Sequence, residues 1–168
     1  MTFLAKLQGQ SKPLPAKTSL KQVAFASLGG LVAVGLVGFL ATYTGQPLVM
    51  GSLGASCVLL FGYPDSPFSQ PRNVVLGHFL STLVGLLFLH LVGPQWWSMA
   101  LALATALAAM QLTGSVHPPA GSNPLIVFLA GADWSFLITP STAGSIILIV
   151  WALLYNNLSK ERHYPSYW

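Results

Sequence analysis

Residues 114–124 have the sequence GSVHPPAGSNP, and this stretch decides the prediction of the fold. It lies within an uncharged, mostly apolar run between Arg72 and Asp133. Its three prolines and two glycines cannot continue a helix, and His117 stands among them. Irregular backbone at membrane depth persists only where it is buried in protein or lines a watery cavity. We therefore treat this titratable break as a candidate functional site.

The composition around the break predicts an integral membrane protein. The chain is 54% hydrophobic and only 6% charged, whereas soluble domains are roughly 25% charged. No charged residue occurs between Lys21 and Asp65, or between Asp133 and Lys160. Apolar stretches of about 20 residues predict transmembrane helices, so we expect an all-α membrane protein. The net charge of +4 comes mostly from the two ends and therefore concerns topology, not nucleic-acid binding.

Four long apolar segments and two short ones follow from the hydropathy pattern. The long segments cover residues 23–43, 74–92, 96–113 and 141–158, and the short ones cover residues 47–62 and 119–131. Each short segment begins with small residues, so we predict a loop leading into a half-helix, capped by Ser56 in one case and Asn123 in the other. The predicted parts are a basic tail (residues 1–21), one transmembrane domain (22–158, with halves 22–93 and 96–158) and a second tail (159–168).

Charge placement favours a particular topology for these segments. If all six cross the membrane and the N-terminus is cytoplasmic, all seven Lys and Arg residues face the cytoplasm, together with both termini. If the short segments instead re-enter, Arg72 lies outside. Six crossings predict two inverted halves of three segments each, and paired broken segments in such halves indicate a transporter's binding site.

The two broken segments suit a small anion. Helix N-termini carry partial positive charge and unpaired N–H donors, whereas no acidic residue in the predicted spans could ligate a cation. We expect neither a metal nor a cofactor, and the single cysteine, Cys57, cannot form an internal disulfide. The candidate substrate-binding residues are Gly54, Ser56, Ser115, His117, Gly121, Ser122, Asn123, Arg72 and His78.

Three of these candidates have structural alternatives. His117 either donates a hydrogen bond to the anion or carries a coupled proton, or it is a neutral histidine that ties down loop carbonyls. Arg72 either attracts the anion at the cytoplasmic mouth or anchors the topology in a pair with Asp65. His78 fits a structural hydrogen bond inside the bundle slightly better than a substrate contact.

Three separated motifs resemble a known family. They are TGSVHPPAG (residues 113–121), GSLGAS (51–56) and SPFSQPRN (66–73), the last followed by Gly77 and His78. They resemble the signature of the HPP family of integral membrane proteins, named for the tripeptide at residues 117–119. Similar members are cyanobacterial and chloroplast-envelope proteins associated with nitrite transport. The resemblance implies nitrite as the substrate and a cyanobacterial inner membrane as the location. Some members carry additional soluble domains.

The predicted function is therefore transport of a small anion, with nitrite implied by the resemblance. Nitrate, formate or bicarbonate are the alternative substrates, and a non-transporting membrane scaffold is the alternative class. An intramembrane hydrolase using a serine and His117 is disfavoured, because the chain lacks a Gly-x-Ser-x-Gly element and an acid to orient the histidine. We expect the protein not to be an enzyme. Its expected partners are the anion, the lipid bilayer and further copies of itself.

Overall fold

The computed structural model describes residues 3, 13–14 and 16–168, so most of the predicted N-terminal tail lies outside it. Within this part the chain forms six α-helices, joined by short 3-10 and π turns, and no strand. The helices are α1 (Leu20–Thr44), α2 (Gly51–Cys57), α3 (Pro71–Leu91), α4 (Trp96–Leu112), α5 (Asn123–Ala130) and α6 (Ala143–Asn156). The all-helical prediction is confirmed.

Three helical stretches are long and apolar enough to cross a membrane: Leu20–Thr44, Pro71–Leu91 and Trp134–Asn156. With 17 residues, α4 falls just short of the length of about 20 that a straight crossing needs. The last stretch is not one continuous helix: a 3-10 turn (Trp134–Leu137) and a π turn (Ile138–Thr142) precede α6, and Thr139 in the second turn has non-helical angles (φ −125°, ψ 122°). The protein is a multi-pass integral membrane protein.

Capping residues set the ends of the long helices. The Ser19 hydroxyl accepts a hydrogen bond from the Gln22 amide at the start of α1, and the Gln22 side chain bonds back to Ser19. The same helix ends at Gly45, whose φ of 67° is the left-handed conformation that glycine tolerates best. Pro71 occupies the first turn of α3, where its missing N–H leaves no partner unsatisfied.

The predicted loop at residues 51–56 is wrong. These residues form α2, which begins at Gly51 and continues without a break through a π turn (Val58–Gly62). Ser56 therefore lies inside a helix and caps nothing. Gly, Ala and Ser are weak helix formers in water, but in a membrane the backbone must satisfy its own hydrogen bonds, and small residues let helices pack closely. The connecting loop covers residues 45–50 instead.

The predicted cap at Asn123 is also wrong. A 3-10 turn (Pro118–Ser122) runs directly into α5, and Asn123 already has helical angles (φ −61°, ψ −40°). The Ser122 hydroxyl donates back to the Pro119 carbonyl at 2.8 Å, so it does not cap α5 either. The prolines start a tight turn here because their φ is already fixed near the helical value. The Asn123 side chain is consequently available to α3.

Helix α3 lies at the centre of the bundle and packs against α4, α5 and α6. Two of its glycines permit close approach. A Cβ atom at Gly77 would lie 2.9 Å from the His117 Cβ, and one at Gly85 would lie 2.9 Å from the Pro124 Cα. No side chain therefore separates the α3 backbone from the segment that contains the His-Pro-Pro motif.

Residues 159–168 fold back onto the turn before α3. The buried Tyr164 hydroxyl donates to the Ser69 carbonyl at 2.7 Å, and the Ser166 amide donates to the Gln70 side chain at 2.8 Å. Arg162 donates to the Phe61 carbonyl at 2.9 Å. This C-terminal segment thus covers the turn at residues 64–70, which also supplies one contact of the candidate site.

Candidate functional site

Four polar side chains meet in the interior, where α2, α3 and α5 converge. Ser56 comes from α2, His78 from α3, His117 from the extended segment before the 3-10 turn, and Asn123 from the first turn of α5. All four are 0% exposed. We call them the central cluster. Since a buried polar group is costly without a hydrogen bond, these side chains must satisfy one another.

Ser56 is the bridge of the central cluster. Its Oγ lies 2.7 Å from His117 Nε2 and 3.0 Å from His78 Nε2. The same Oγ lies 2.9 Å from the carbonyl oxygen of Ser52, one turn earlier in α2. A serine hydroxyl has one hydrogen and two lone pairs, so Ser56 can donate either to the Ser52 carbonyl or to a bare imidazole nitrogen, while its lone pairs accept from imidazole N–H groups.

His117 is held from both sides of its ring. It precedes Pro118, which favours the extended backbone observed (φ −132°, ψ 101°) and turns the side chain away from the following 3-10 turn. Its Nδ1 lies 2.6 Å from the Phe68 carbonyl oxygen. Its Cβ faces Gly77 of α3, where any larger residue would collide with it.

Asn123 fixes the orientation of His78. The Asn123 Nδ2 lies 3.0 Å from His78 Nδ1, 3.3 Å from the His78 carbonyl and 2.9 Å from Thr82 Oγ1. The neighbouring carbonyl only accepts hydrogen bonds, so the amide nitrogen, not the amide oxygen, belongs on this side. Asn123 Oδ1 is buried and has no hydrogen-bond partner in the described part of the chain.

These partners determine the direction of each hydrogen bond. His117 Nδ1 must donate because the Phe68 carbonyl accepts, and His78 Nδ1 must accept because Asn123 donates. In the neutral state, therefore, His78 carries its proton on Nε2 and donates to Ser56. Ser56 then donates to the bare Nε2 of His117. The central cluster forms one directional chain from Asn123 through both histidines to the Phe68 carbonyl.

Hydroxyl side chains that the sequence analysis missed extend the network. Thr82 Oγ1 lies 2.7 Å from Ser141 Oγ, and Ser141 donates to the His78 carbonyl at 3.1 Å. Ser81 donates to the Ala120 carbonyl at 2.6 Å. One signal was available in the sequence, because His78, Ser81 and Thr82 share a face of α3 at a spacing of three to four residues. Ser141 offered no such signal.

The structure places four predicted residues near the central cluster but outside it. The Ser115 hydroxyl pairs with Thr113 at 2.7 Å, and Ser122 bonds within its own turn. Gly54 and Gly121 face open space: a Cβ added to either would meet nothing within 4 Å. These four residues shape the backbone around the cluster and make no hydrogen bond to it through a side chain.

Arg72 lies about two turns before His78 on α3, at the exposed end of the helix. Its Nη2 donates to the Thr113 carbonyl at 2.7 Å, at the C-terminal end of α4. The alternative in which Arg72 pairs with Asp65 is wrong, because within the described residues the observed ion pair joins Lys21 to Glu161. A guanidinium near the last carbonyls of a helix is favoured by the helix dipole.

The charged side chains that the structure describes lie outside the central cluster. All three acidic residues, Asp65, Asp133 and Glu161, fall in turns outside α1–α6. The described residues contain no group of three or more His, Cys, Asp or Glu side chains that could hold a metal ion. The chemistry within reach of the cluster is therefore hydrogen bonding and proton exchange at two imidazoles and several hydroxyls.

Known proteins similar to this chain are membrane proteins. The sequence profile of the HPP transmembrane region matches residues 15–165. A transmembrane protein of Dictyostelium discoideum is 34% identical over 165 residues, which are 93% of this chain and 58% of the relative. A second Dictyostelium discoideum transmembrane protein is 33% identical over 178 positions, with 99% and 57% coverage. The chain thus spans less than three-fifths of either relative, and no solved structure matches it. The match over nearly the whole described chain shows that this protein belongs to the HPP family of transmembrane proteins.

Proposed function

We propose that this protein is a membrane transporter for a small inorganic anion, and that nitrite is its substrate. The observation that carries the proposal is the meeting of two short helical segments, α2 and the Gly/Pro-rich segment that leads into α5, at a buried polar cluster. Ser56 of α2 lies within hydrogen-bond distance of His117, 61 residues further along the chain. Interrupted helices that converge inside a membrane protein are typical of transporter binding sites.

Polar side chains inside a membrane protein support a transport role over a scaffold role. Such residues are costly in a membrane and, by default, mark substrate or proton pathways. A scaffold needs neither two buried histidines nor the hydroxyl network around them. The family resemblance described above is what favours nitrite over nitrate, formate or bicarbonate.

Side chains, more than helix-terminal amides, would supply the donors for the anion. In the turn before α5, the Ala120 amide donates to the His117 carbonyl and the Asn123 amide to the Ala120 carbonyl, so neither is free for an anion. Ser52 Oγ, one turn before Ser56, is buried and lacks a hydrogen-bond partner among the described residues. A buried hydroxyl without a partner is a donor that an entering anion can satisfy.

We also propose a membrane arrangement. Four long helices and two short broken ones would form inverted halves of three segments, with both termini in the cytoplasm of a cyanobacterial cell. This topology would place all seven Lys and Arg residues on the cytoplasmic side, as the positive-inside rule favours. A homo-oligomer would shield the largely exposed α1, of which three residues are buried in the monomer: Gly29, Ala33 and Val37.

A second candidate function follows from the Ser56–His117 pair. A serine Oγ 2.7 Å from a histidine Nε2, with Nδ1 oriented by another group, matches the geometry of an activated nucleophile. Two observations favour transport. The orienting group is the Phe68 carbonyl and not a carboxylate, and Ser56 Oγ also contacts His78. Covalent labelling of Ser56 by a fluorophosphonate probe would support a hydrolase instead.

The test is anion uptake by the purified protein in liposomes. Nitrite uptake is compared with nitrate and formate uptake, and empty liposomes provide the background. We expect nitrite flux above background, and His117→Gln should reduce it at least about tenfold if the cluster lies on the pathway. His90→Gln is the matched control, because His90 contacts the Ala132 carbonyl, away from the cluster. Equal flux with and without protein would refute the proposal.

A further inference from the structure

We propose that each anion crosses the membrane together with one proton, and that the proton is held on His117 Nε2. This inference rests on the proposed function, because it assigns a second transported species to the same site. It depends on how the hydrogens of the central cluster can rearrange.

In the neutral state the hydroxyl hydrogen of Ser56 points to His117 Nε2, at an oxygen–nitrogen distance of 2.7 Å. A second acceptor is within reach of the same hydrogen. The Ser52 carbonyl oxygen lies 2.9 Å from Ser56 Oγ. Serine hydroxyls inside helices often make this bond to the carbonyl one turn back. Rotation about one bond moves the hydrogen between the two acceptors.

Protonation of His117 uses this rotation. A proton that binds Nε2 forms an N–H bond there, and the Ser56 hydrogen turns to the Ser52 carbonyl. Ser56 Oγ then accepts from both imidazoles, His117 Nε2–H and His78 Nε2–H, with its two lone pairs. His117 Nδ1 continues to donate to the Phe68 carbonyl. Every polar group that was bonded in the neutral state is bonded in the protonated state.

The cluster holds a single proton by this route. His78 has its other nitrogen against the Asn123 amide, which also donates to Thr82. Protonation at His78 Nδ1 would place an N–H donor there against the Asn123 Nδ2 donor, and the hydrogen bond between the two atoms would be lost. The ring centroids of the two histidines are 5.1 Å apart, so a second positive charge would also be repelled by the first.

Residues 16–168 supply no counter-charge for the protonated histidine. Among the described residues, His78 is the titratable side chain that faces His117, and Met110 of α4 and Gly77 of α3 border the same segment. The other ionisable groups on nearby elements point elsewhere: Arg72 bonds to the Thr113 carbonyl, and Cys57 packs in the apolar core. Each carboxylate lies in a turn outside the helices.

A buried positive charge without a partner is unstable, so protonation of His117 requires a negative charge nearby. In this site the transported anion is the available source. The proton and the anion therefore stabilise each other in the interior, and neither enters readily alone.

The experiment measures proton and nitrite movement in the same liposomes. The full chain is reconstituted with a pH-sensitive dye inside the vesicles, and the membrane potential is set with potassium and valinomycin. We expect a nitrite gradient to acidify the interior, with one proton per anion, at a rate that does not depend on the potential. One unit of lower external pH should raise initial uptake by up to about tenfold when protons limit binding. Empty vesicles define leakage of the neutral acid.

His117→Gln and Ser56→Ala test the assignment to His117, and His90→Gln is the control. Gln can keep hydrogen bonds at the site but binds no proton, so we expect it to lose coupled uptake at least about tenfold at an unchanged melting temperature. Ser56→Ala removes the rotating hydroxyl and should flatten the pH dependence of uptake. If either variant does not fold, the wild-type measurement still decides whether nitrite and a proton cross together. Nitrite flux that follows the potential without acidification overturns this inference and leaves the proposed function intact. No flux above empty vesicles overturns both.

Discussion

Replacement of Gly77 by alanine tests the close contact between α3 and the His-Pro-Pro segment. The new Cβ would lie 2.9 Å from the His117 Cβ and 3.1 Å from the Ser115 carbonyl oxygen. Carbon atoms normally pack at about 3.5–4.0 Å. Both neighbours are attached to or part of the backbone, so neither can swing away as the end of a flexible side chain would. The segment at residues 115–117 would have to shift as a whole.

The expected cost follows from two opposing terms. Overpacking of a tight interior costs roughly 1–3 kcal/mol. Alanine recovers roughly 0.5–1 kcal/mol over glycine within a helix. The net effect is a destabilisation between about 0 and 2.5 kcal/mol. At roughly 2–4 °C per kcal/mol for a chain of this size, the melting temperature should fall by up to about 10 °C.

The single cysteine provides the assay. Cys57 is 7% exposed, so a thiol-reactive fluorescent dye will label it mainly on unfolding of the purified protein in detergent. Gly38→Ala in α1 is the matched control, because a Cβ there would meet nothing within 4 Å. It gains the same helix propensity without the collision, so its melting temperature should stay equal or rise slightly. If Gly77→Ala melts at the same temperature as Gly38→Ala, the proposed contact between the two backbones is refuted.

Three further predictions concern other parts of the network. Burial raises the pKa of the Tyr164 hydroxyl, so above about pH 10 this tyrosine ionises in the unfolded state before it ionises in the folded state. The folded state therefore loses stability as pH rises. Tyr164→Phe should show a smaller fall in melting temperature at alkaline pH than the wild type. Thr82→Val removes the acceptor for the Asn123 amide at nearly constant volume and should lower stability by about 1–3 kcal/mol in chemical denaturation. Glu161→Gln breaks the exposed ion pair with Lys21 and should change the melting temperature by less than the error of the assay, at any salt concentration.

The membrane class and the long helices could be predicted because the absence of charge is a strong signal. Predicted and observed ends agree to within about three residues for the first three long helices. The fourth, α6, agrees as closely, because non-helical backbone at Thr139 (φ −125°, ψ 122°) separates it from the turn at Trp134–Leu137.

The short helices were harder to predict because propensities measured in water do not transfer to a membrane interior. Gly51 and the small residues after it were assigned to a loop, although in an apolar setting they form a helix. Residue types identified Ser56, His78, His117 and Asn123 as candidates. Nothing in the sequence could reveal that Ser56 bridges both histidines, because that contact depends on how α2 and α3 pack.

The two glycine contacts of α3 also have a mechanical consequence. Backbone lies directly against backbone at Gly77 and again at Gly85, where the Pro124 Cα is the neighbour. Contacts of this kind leave no layer of side chains that could repack to let one element slide past the other. We expect α3 and α5 to move as one rigid body during any conformational cycle. The hinge motion would then occur against α1, whose Gly29 and Phe25 carbonyls accept hydrogen bonds from Trp151 and Tyr155 of α6. Distance measurements between spin labels on α3 and α5 should stay constant when substrate is added, whereas distances from α3 to α1 should change.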